Sequence, residues 1–485
     1  MDFFQCLLPE LRLVILEQIR SKRVVLQLIQ ASPAMLKQYI ASKESITRAQ
    51  LASDLDEEMV QDAMAIILFP SRMYPVNPSA GLVQGHLFAS WASKRLPNPL
   101  RKPAESQNAR LIRDLGRLHG RLLLFIEDYL TKATAVFPPR EYVCLPALSP
   151  TQTHLTFTGT QVSPIFDVAH LTDGERNRLL KAFLRHHLMS LVYRHRDWHD
   201  NVRHCYRTEL YQYGGRDFQP FEQEAIFCVR AYLESLYGTL FAQCSDSWLP
   251  ELAPNSTSLS PHGLQYPDNL YFNPQSYASD FGVNSDDLKI VSEMAGFGLD
   301  LAWAFLRPAI AGRQGQDQLR SWFKKICKDR WRARFAWKSP KDLSPAVRIL
   351  GSYQDRQRGP GMYRILYSRI ESGHHLQRRM YRQRAWVFFD DARFYPSAFG
   401  KPHFPTPYDL DQERYEAGLD EGYLKNPARA RALGRSQKWH DEQCGVSPDV
   451  GKMETAQTPE PGKECNAPLP EVVDGRFRIS RPFWL

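Results

Sequence analysis

Apolar positions recur along most of this chain at steps of three and four, the spacing that places side chains on one face of a helix. Leu8, Leu11, Ile15 and Ile19 set the pattern at the start, behind Pro9, whose missing N–H suits a first helical position. Val25, Leu28 and Ile29 form a second apolar set, and Ser32-Pro33 then supplies an N-cap and a first helical residue for a third helix with Leu36, Tyr39 and Ile40. Leu55, Met59, Val60, Ala63, Met64 and Ile67 continue the helical region to residue 70.

Beyond a Pro-, Ser- and Asn-rich linker over 71–108, the same period predicts a helix at about 109–132 with Leu111, Leu115, Leu118, Leu122, Phe125, Ile126 and Tyr129. Thr172 and Glu175 read as a capping box ahead of Leu179, Leu180, Phe183, Leu184, Leu188, Leu191 and Val192. Phe221 to Phe241 is a further helix, Asp286 to Leu306 a very apolar one that Pro308 helps to stop, and Leu319, Trp322, Phe323 and Ile326 start the next. The fold class expected is mainly α, with a helical N-terminal region (1–70), the linker, a helical domain over 109–400 and an extended C-terminal region over 401–485. Within that last region, residues 441–475 are acidic, Pro-rich and poor in apolar residues, a composition that reads as disorder. No repeat of period twenty to fifty is visible, which disfavours solenoid and propeller modules.

The first forty residues carry a resemblance. Leu8-Pro9-Glu10-Leu11, the Ile15-Leu16 pair, Leu28 in the second helix and Ser32-Pro33 before the third resemble the F-box. The resemblance implies a three-helix segment whose Leu8, Pro9, Leu11, Ile15, Leu16 and Leu28 insert into the Skp-type adaptor of a cullin-RING ubiquitin ligase, with the rest of the chain recruiting a protein target. A looser likeness covers most of residues 1–400: the F-box-like start, the FEQEAIFCVRAYLESLYGTLFAQC helix, a tryptophan-rich middle and a late RAWVFFDD block resemble a group of filamentous-fungal proteins. That group adds organisation and no catalytic residues. Ordinary core helices of a larger helical protein are the competing account, since periodicity marks buried faces and not partners.

Composition removes other classes. With 485 residues, 43% hydrophobic, the chain can build a large core and is not disordered as a whole. The start lacks a basic segment followed by an unbroken apolar one, and the longest apolar stretches, Ala63 to Phe69 and Met294 to Leu306, fall short of the ~20 residues that span a bilayer. A soluble protein of the cytoplasm or nucleus is expected, without membrane contact. Eight cysteines lie far apart with no C-x-x-C, so they read mostly as buried thiols.

Charge is unevenly placed. Residues 313–384 hold nineteen Lys and Arg against five Asp and Glu, an excess larger than the whole-chain +9, so the remainder is slightly acidic. Such a segment raises the alternative of a nucleic-acid-associated protein using Arg320, Lys324, Lys325, Lys328, Arg332 and Arg334. In the helical part, however, Trp322 and Phe323 fall in register with Leu319 and Ile326 and are expected to face the core, leaving the cations as a solvated face. No nucleic-acid-binding module accompanies them.

Two other clusters invite chemistry. His186, His187, His195, His199 and His204 accompany Asp197, Asp200 and Cys205; His195 and His199 have the spacing of a metal-binding pair, but Arg196 stands where a general-base glutamate is required. No metal site is read there. Asp390 and Asp391 follow Trp386, Val387, Phe388 and Phe389, and a buried aromatic strand or helix ending in a charged turn, with Arg393 as ion partner, accounts for them better than acid–base catalysis. Gly296-Phe297-Gly298 lacks a dinucleotide fingerprint and Gly315 to Arg320 lacks a Walker pair. No cofactor and no catalytic residue is expected.

Overall fold

The computed structural model describes residues 2–69, 86–87, 89–101, 106–135, 138–149, 151–157, 159–194, 219–245, 247, 249, 271–281, 290–328, 359–370, 374–390, 404–416, 469, 471–473 and 476–478. These residues are mainly helical. A 3-10 turn (Phe3–Cys6) leads into α1 (Pro9–Gln18), α2 (Lys22–Ala31), α3 (Pro33–Asp54) and α4 (Glu57–Leu68). Then follow α5 (Ser106–Ala133), α6 (Pro138–Tyr142), α7 (Asp173–Arg194), α8 (Pro220–Cys244), α9 (Ile290–Ala295), α10 (Leu299–Ile310) and α11 (Arg313–Lys328). Shorter pieces close the order: α12 (Gly361–Leu366), α13 (His375–Gln383) and α14 (Pro407–Glu416). Two antiparallel hairpins, β1 (His154–Phe157) with β2 (Thr160–Pro164) and β3 (Glu471–Val473) with β4 (Arg476–Arg478), were not anticipated. Most of the expected disorder over 441–475 lies outside the described residues, but Glu471–Val473 pairs as a strand.

Local signals set the helix starts. Ser32 Oγ accepts from the Met35 N–H at 3.1 Å with Pro33 in the first turn, and Asp56 accepts from the Met59 N–H at 2.8 Å. The Thr172–Glu175 capping box forms: the Thr172 N–H donates to Glu175 Oε2 at 2.9 Å and the Glu175 N–H to Thr172 Oγ1 at 3.2 Å. Each cap of this kind contributes ~1 kcal/mol by satisfying N–H groups that no helical carbonyl reaches.

The cores are two. A large one gathers α4, α5, α7, α8, α10, α11 and α13, with α8 buried along nearly its whole length and touching α7, α9, α10, α11 and α13. A helix apolar all round must be enclosed, and α8 is the axis around which the others assemble. A separate small core consists of Leu16, Val25, Ile29, Met35 and Ile46. The change of core falls between Ile46 and Leu51, inside α3, and the apolar side chains of α4 belong to the large core.

Three expectations are corrected. The apolar stretch 286–306 is not one helix: α9 and α10 are separated at Gly298, whose φ of +72° breaks the helix and where a Cβ would lie 2.8 Å from that of Ser190. Pro308 sits inside α10 and does not end it. The aromatic run 386–389 is neither strand nor helix but a buried turn, entered through Ala385 at φ +54°. Asp390 finds its ion partner in Arg178 of α7, whose Nη2 also donates to the Phe388 carbonyl at 2.7 Å, while Arg393 and Asp391 lie outside the described residues.

Candidate docking surface

The N-terminal unit is tied together from Asp2 onward. Asp2 accepts from the Phe4 N–H at 3.0 Å, capping the 3-10 turn, and also from Ser32 Oγ at 2.7 Å and the Ala34 N–H at 3.1 Å at the start of α3. The Ser32 hydrogen bond, with those of Ala34 and Phe4, holds the Asp2 carboxyl below its usual range, overriding a weak upward push from burial. The start of the chain is thereby tied to Ser32-Pro33, thirty residues on. Nothing in the sequence spacing announced that link.

Within this unit the six residues expected to meet a partner separate into two groups. Leu8 is 65% exposed, Leu11 is 50% exposed, and Pro9 beside them is also exposed. Leu16 is wholly buried in the small core, where it packs with Val25, Ile29, Met35 and Ile46. Ile15 and Leu28 are half-buried and pack against that same core. The helix turns about 100° per residue, which sends Leu11 outward and Leu16 inward.

The exposed set also contains residues that the sequence reading did not select. Phe3, Val14, Val24, Leu36 and Ile40 are all exposed large apolar side chains, Ile40 at 68%. Leu8, Leu11 and Val14 follow one another at steps of three along α1 and its cap, and Leu36 and Ile40 lie one turn apart on α3, which packs on α1. Periodicity could have found them as a second apolar face, opposite the stripe that fills the core. Isolated exposed leucines are common in soluble proteins, but this density in one forty-residue segment is not.

The basic region is arranged differently. Leu319, Phe323 and Ile326 are buried and Trp322 is half-buried against Phe305, as the helical register required. Lys324 and Lys325 are exposed, whereas Arg320 Nε donates to the Cys244 carbonyl at 2.5 Å and so caps the end of α8. Lys328 ends α11, and Arg332 and Arg334 lie outside the described residues. Arg313, Gln314, Asp317, Trp322, Lys325 and Leu469 border an open groove of about 800 Å³ whose charged groups are of both signs.

Buried ionisable groups elsewhere serve packing. His186 is enclosed in α7, and burial, with the Arg230 and His187 charges, pushes its pKa well down, so it is a neutral core side chain. His187 Nδ1 accepts from the Leu299 N–H at 3.4 Å, next to the Gly298 break. Lys132 Nζ lies 2.8 Å from Asp128 Oδ2, which also accepts from the Tyr232 hydroxyl at 2.8 Å, a pair sealed between α5 and α8. Arg382 grips Glu224 through two bonds of 2.7 and 2.8 Å. Among the described residues no cluster of His, Cys, Asp and Glu is arranged to hold a metal ion, and His195, Asp197, His199, Asp200, His204 and Cys205 lie outside them. Cys144, Cys228 and Cys244 are buried as expected, but Cys6 is exposed.

Comparison with protein families, with curated proteins and with solved structures finds no match to this chain. Among the described residues no helix is long and apolar enough to cross a membrane.

Proposed function

We propose that this chain is a non-catalytic adaptor: its N-terminal unit docks on the Skp-type subunit of a cullin-RING ubiquitin ligase, and the helical body behind it recruits a protein target. The observation that carries this reading is the exposure of Leu8, Leu11, Val14, Leu36 and Ile40 on a unit whose own core is already filled by Leu16, Val25, Ile29, Met35 and Ile46. Apolar side chains that folding leaves in water gain ~25 cal/mol per Å² when a partner covers them, before the costs of association. The resemblance of Leu8-Pro9-Glu10-Leu11 and Ser32-Pro33 to the F-box supports the choice of that partner. Such a role belongs to the cytoplasm or nucleus.

Co-purification of the full chain with the adaptor tests the reading. The unmodified protein is expected to retain the adaptor and the Leu8→Asp, Leu11→Asp double variant to lose it. Because both side chains are exposed, the variant should keep its fold, which circular dichroism checks. Failure of the unmodified protein to hold the adaptor would remove the reading.

A further inference from the structure

Helix α3 runs through both cores: Met35 and Ile46 belong to the small one and Leu51 to the large one. Its backbone departs from helical geometry at Ser42, with φ −116° and ψ 18°. The stretch from Thr47 to Asp54 therefore carries the connection between the docking unit and the body. It lies against α5, where a Cβ on Gly116 would stand 2.8 Å from Thr47 Cγ2, and Gln50 Nε2 donates to the Ile19 carbonyl at 3.3 Å. At the end of this stretch sits a buried charge cluster drawn from three helices. Asp54 of α3 accepts from Arg176 of α7 through Nε at 2.7 Å and Nη2 at 2.6 Å, and its Oδ2 lies 2.7 Å from His119 Nε2 of α5.

Burying a carboxylate and a guanidinium costs desolvation free energy that their attraction roughly offsets, so such a cluster contributes little net stability beside a well-packed apolar alternative. What a two-pronged Arg–carboxylate bond does supply is geometry, since both the distance and the plane of the pair are fixed. We infer that the Asp54–His119–Arg176 cluster is an orientation lock, holding the last two turns of α3 and with them the direction in which the N-terminal docking face points from the body. The lock is a property of the chain alone; its consequence for ligase assembly rests on the docking reading above. Asp54, His119 and Arg176 act in it as positioning residues.

Hydrogen exchange on the full-length protein, comparing it with Asp54→Asn, tests the lock. Amides of residues 47–54 are expected to exchange at least tenfold faster in the variant, while those of α1, α2, α7 and α8 keep their protection. A merely stabilising role would instead accelerate all of these helices together, and that outcome, or unchanged exchange at 47–54, overturns the proposal. Should Asp54→Asn fail to fold, Arg176→Gln is read in the same way, and failure of both assigns the cluster to the stability of the whole fold and likewise overturns it. Adaptor capture by the unmodified protein is scored separately, so loss of the docking reading leaves the exchange result standing.

Discussion

Leu11 and Leu16 stand five residues apart on α1 and face opposite environments: Leu11 is half in water, while Leu16 is sealed among Val25, Ile29, Met35 and Ile46. That division separates an exposed apolar face from a core face within one ten-residue helix. Leu16→Ala should cost about 2–5 kcal/mol, the usual range for emptying a leucine site in a filled core. Leu11→Ala should stay within about 0.5 kcal/mol of the unmodified protein. Urea unfolding of both variants measures the contrast, and equal losses would place Leu11 in the core as well.

Acid should act on the junction between the two cores. Burial raises the Asp54 carboxyl, but hydrogen bonds from His119 and Arg176, with their charges, outweigh it and hold the pKa at about 2, below its ordinary 3.8. A depressed carboxylate contributes stability above its unfolded pKa and loses it as pH falls through the folded one. Asp54 therefore holds the junction by about 2 kcal/mol near neutrality, lost between about pH 4 and pH 2. Protection of the 47–54 amides against exchange, corrected for the intrinsic rate at each pH, should fall across that window in the unmodified protein and not in Asp54→Asn, while that of α8 stays unchanged.

Glu141 on α6 should behave in the opposite sense. Burial pushes its carboxyl up to about 7 against the weaker pull of its own backbone N–H and of Arg140, Arg384 and Lys132. A raised carboxyl favours the folded state below its unfolded pKa of 4.5, and that contribution is lost as pH rises through 7. Glu141→Gln should then stabilise the protein by roughly 3 kcal/mol at pH 8 and change little at pH 4. A melting temperature for the variant that is unchanged at pH 8 would contradict the assignment.

Gly298 is a position where both the backbone conformation and the space around it call for glycine. Its φ of +72° disfavours any L side chain, and a Cβ would meet Ser190 Cβ at 2.8 Å and His187 Nδ1 at 2.9 Å. Gly298→Ala should destabilise by about 2 kcal/mol or more, from strain and overpacking together. Gly312, which also has a positive φ but open space around it, is the control and should lose less on the same substitution. Differential scanning calorimetry of the two variants compares them.

Helix positions were readable because an apolar residue every three or four places leaves few other structures possible: the expected 109–132 helix is α5 and the Phe221 to Phe241 helix is α8. The Thr172–Glu175 cap and the burial of Phe323 followed from the same local rules. What spacing could not supply was any feature that depends on a distant element. The α9–α10 break needs Ser190 and His187 pressed against Gly298, the turn at 385–389 needs Arg178 to donate to the Phe388 carbonyl, and the Asp2–Ser32 tie joins residues thirty apart. For the same reason the exposure of the motif residues was not legible in the sequence. A motif names Leu8, Leu11 and Leu16 alike, and only the filled small core distinguishes the two that remain in water from the one that does not.

Calorimetric titration of the purified full-length chain with the purified Skp-type adaptor tests the central claim most directly. The account predicts saturable 1:1 binding at micromolar or lower adaptor concentration, with a negative heat-capacity change from apolar burial and with the signal abolished by Leu8→Asp, Leu11→Asp. Absence of binding by the folded, unmodified chain, or equal binding by the double variant, would contradict it.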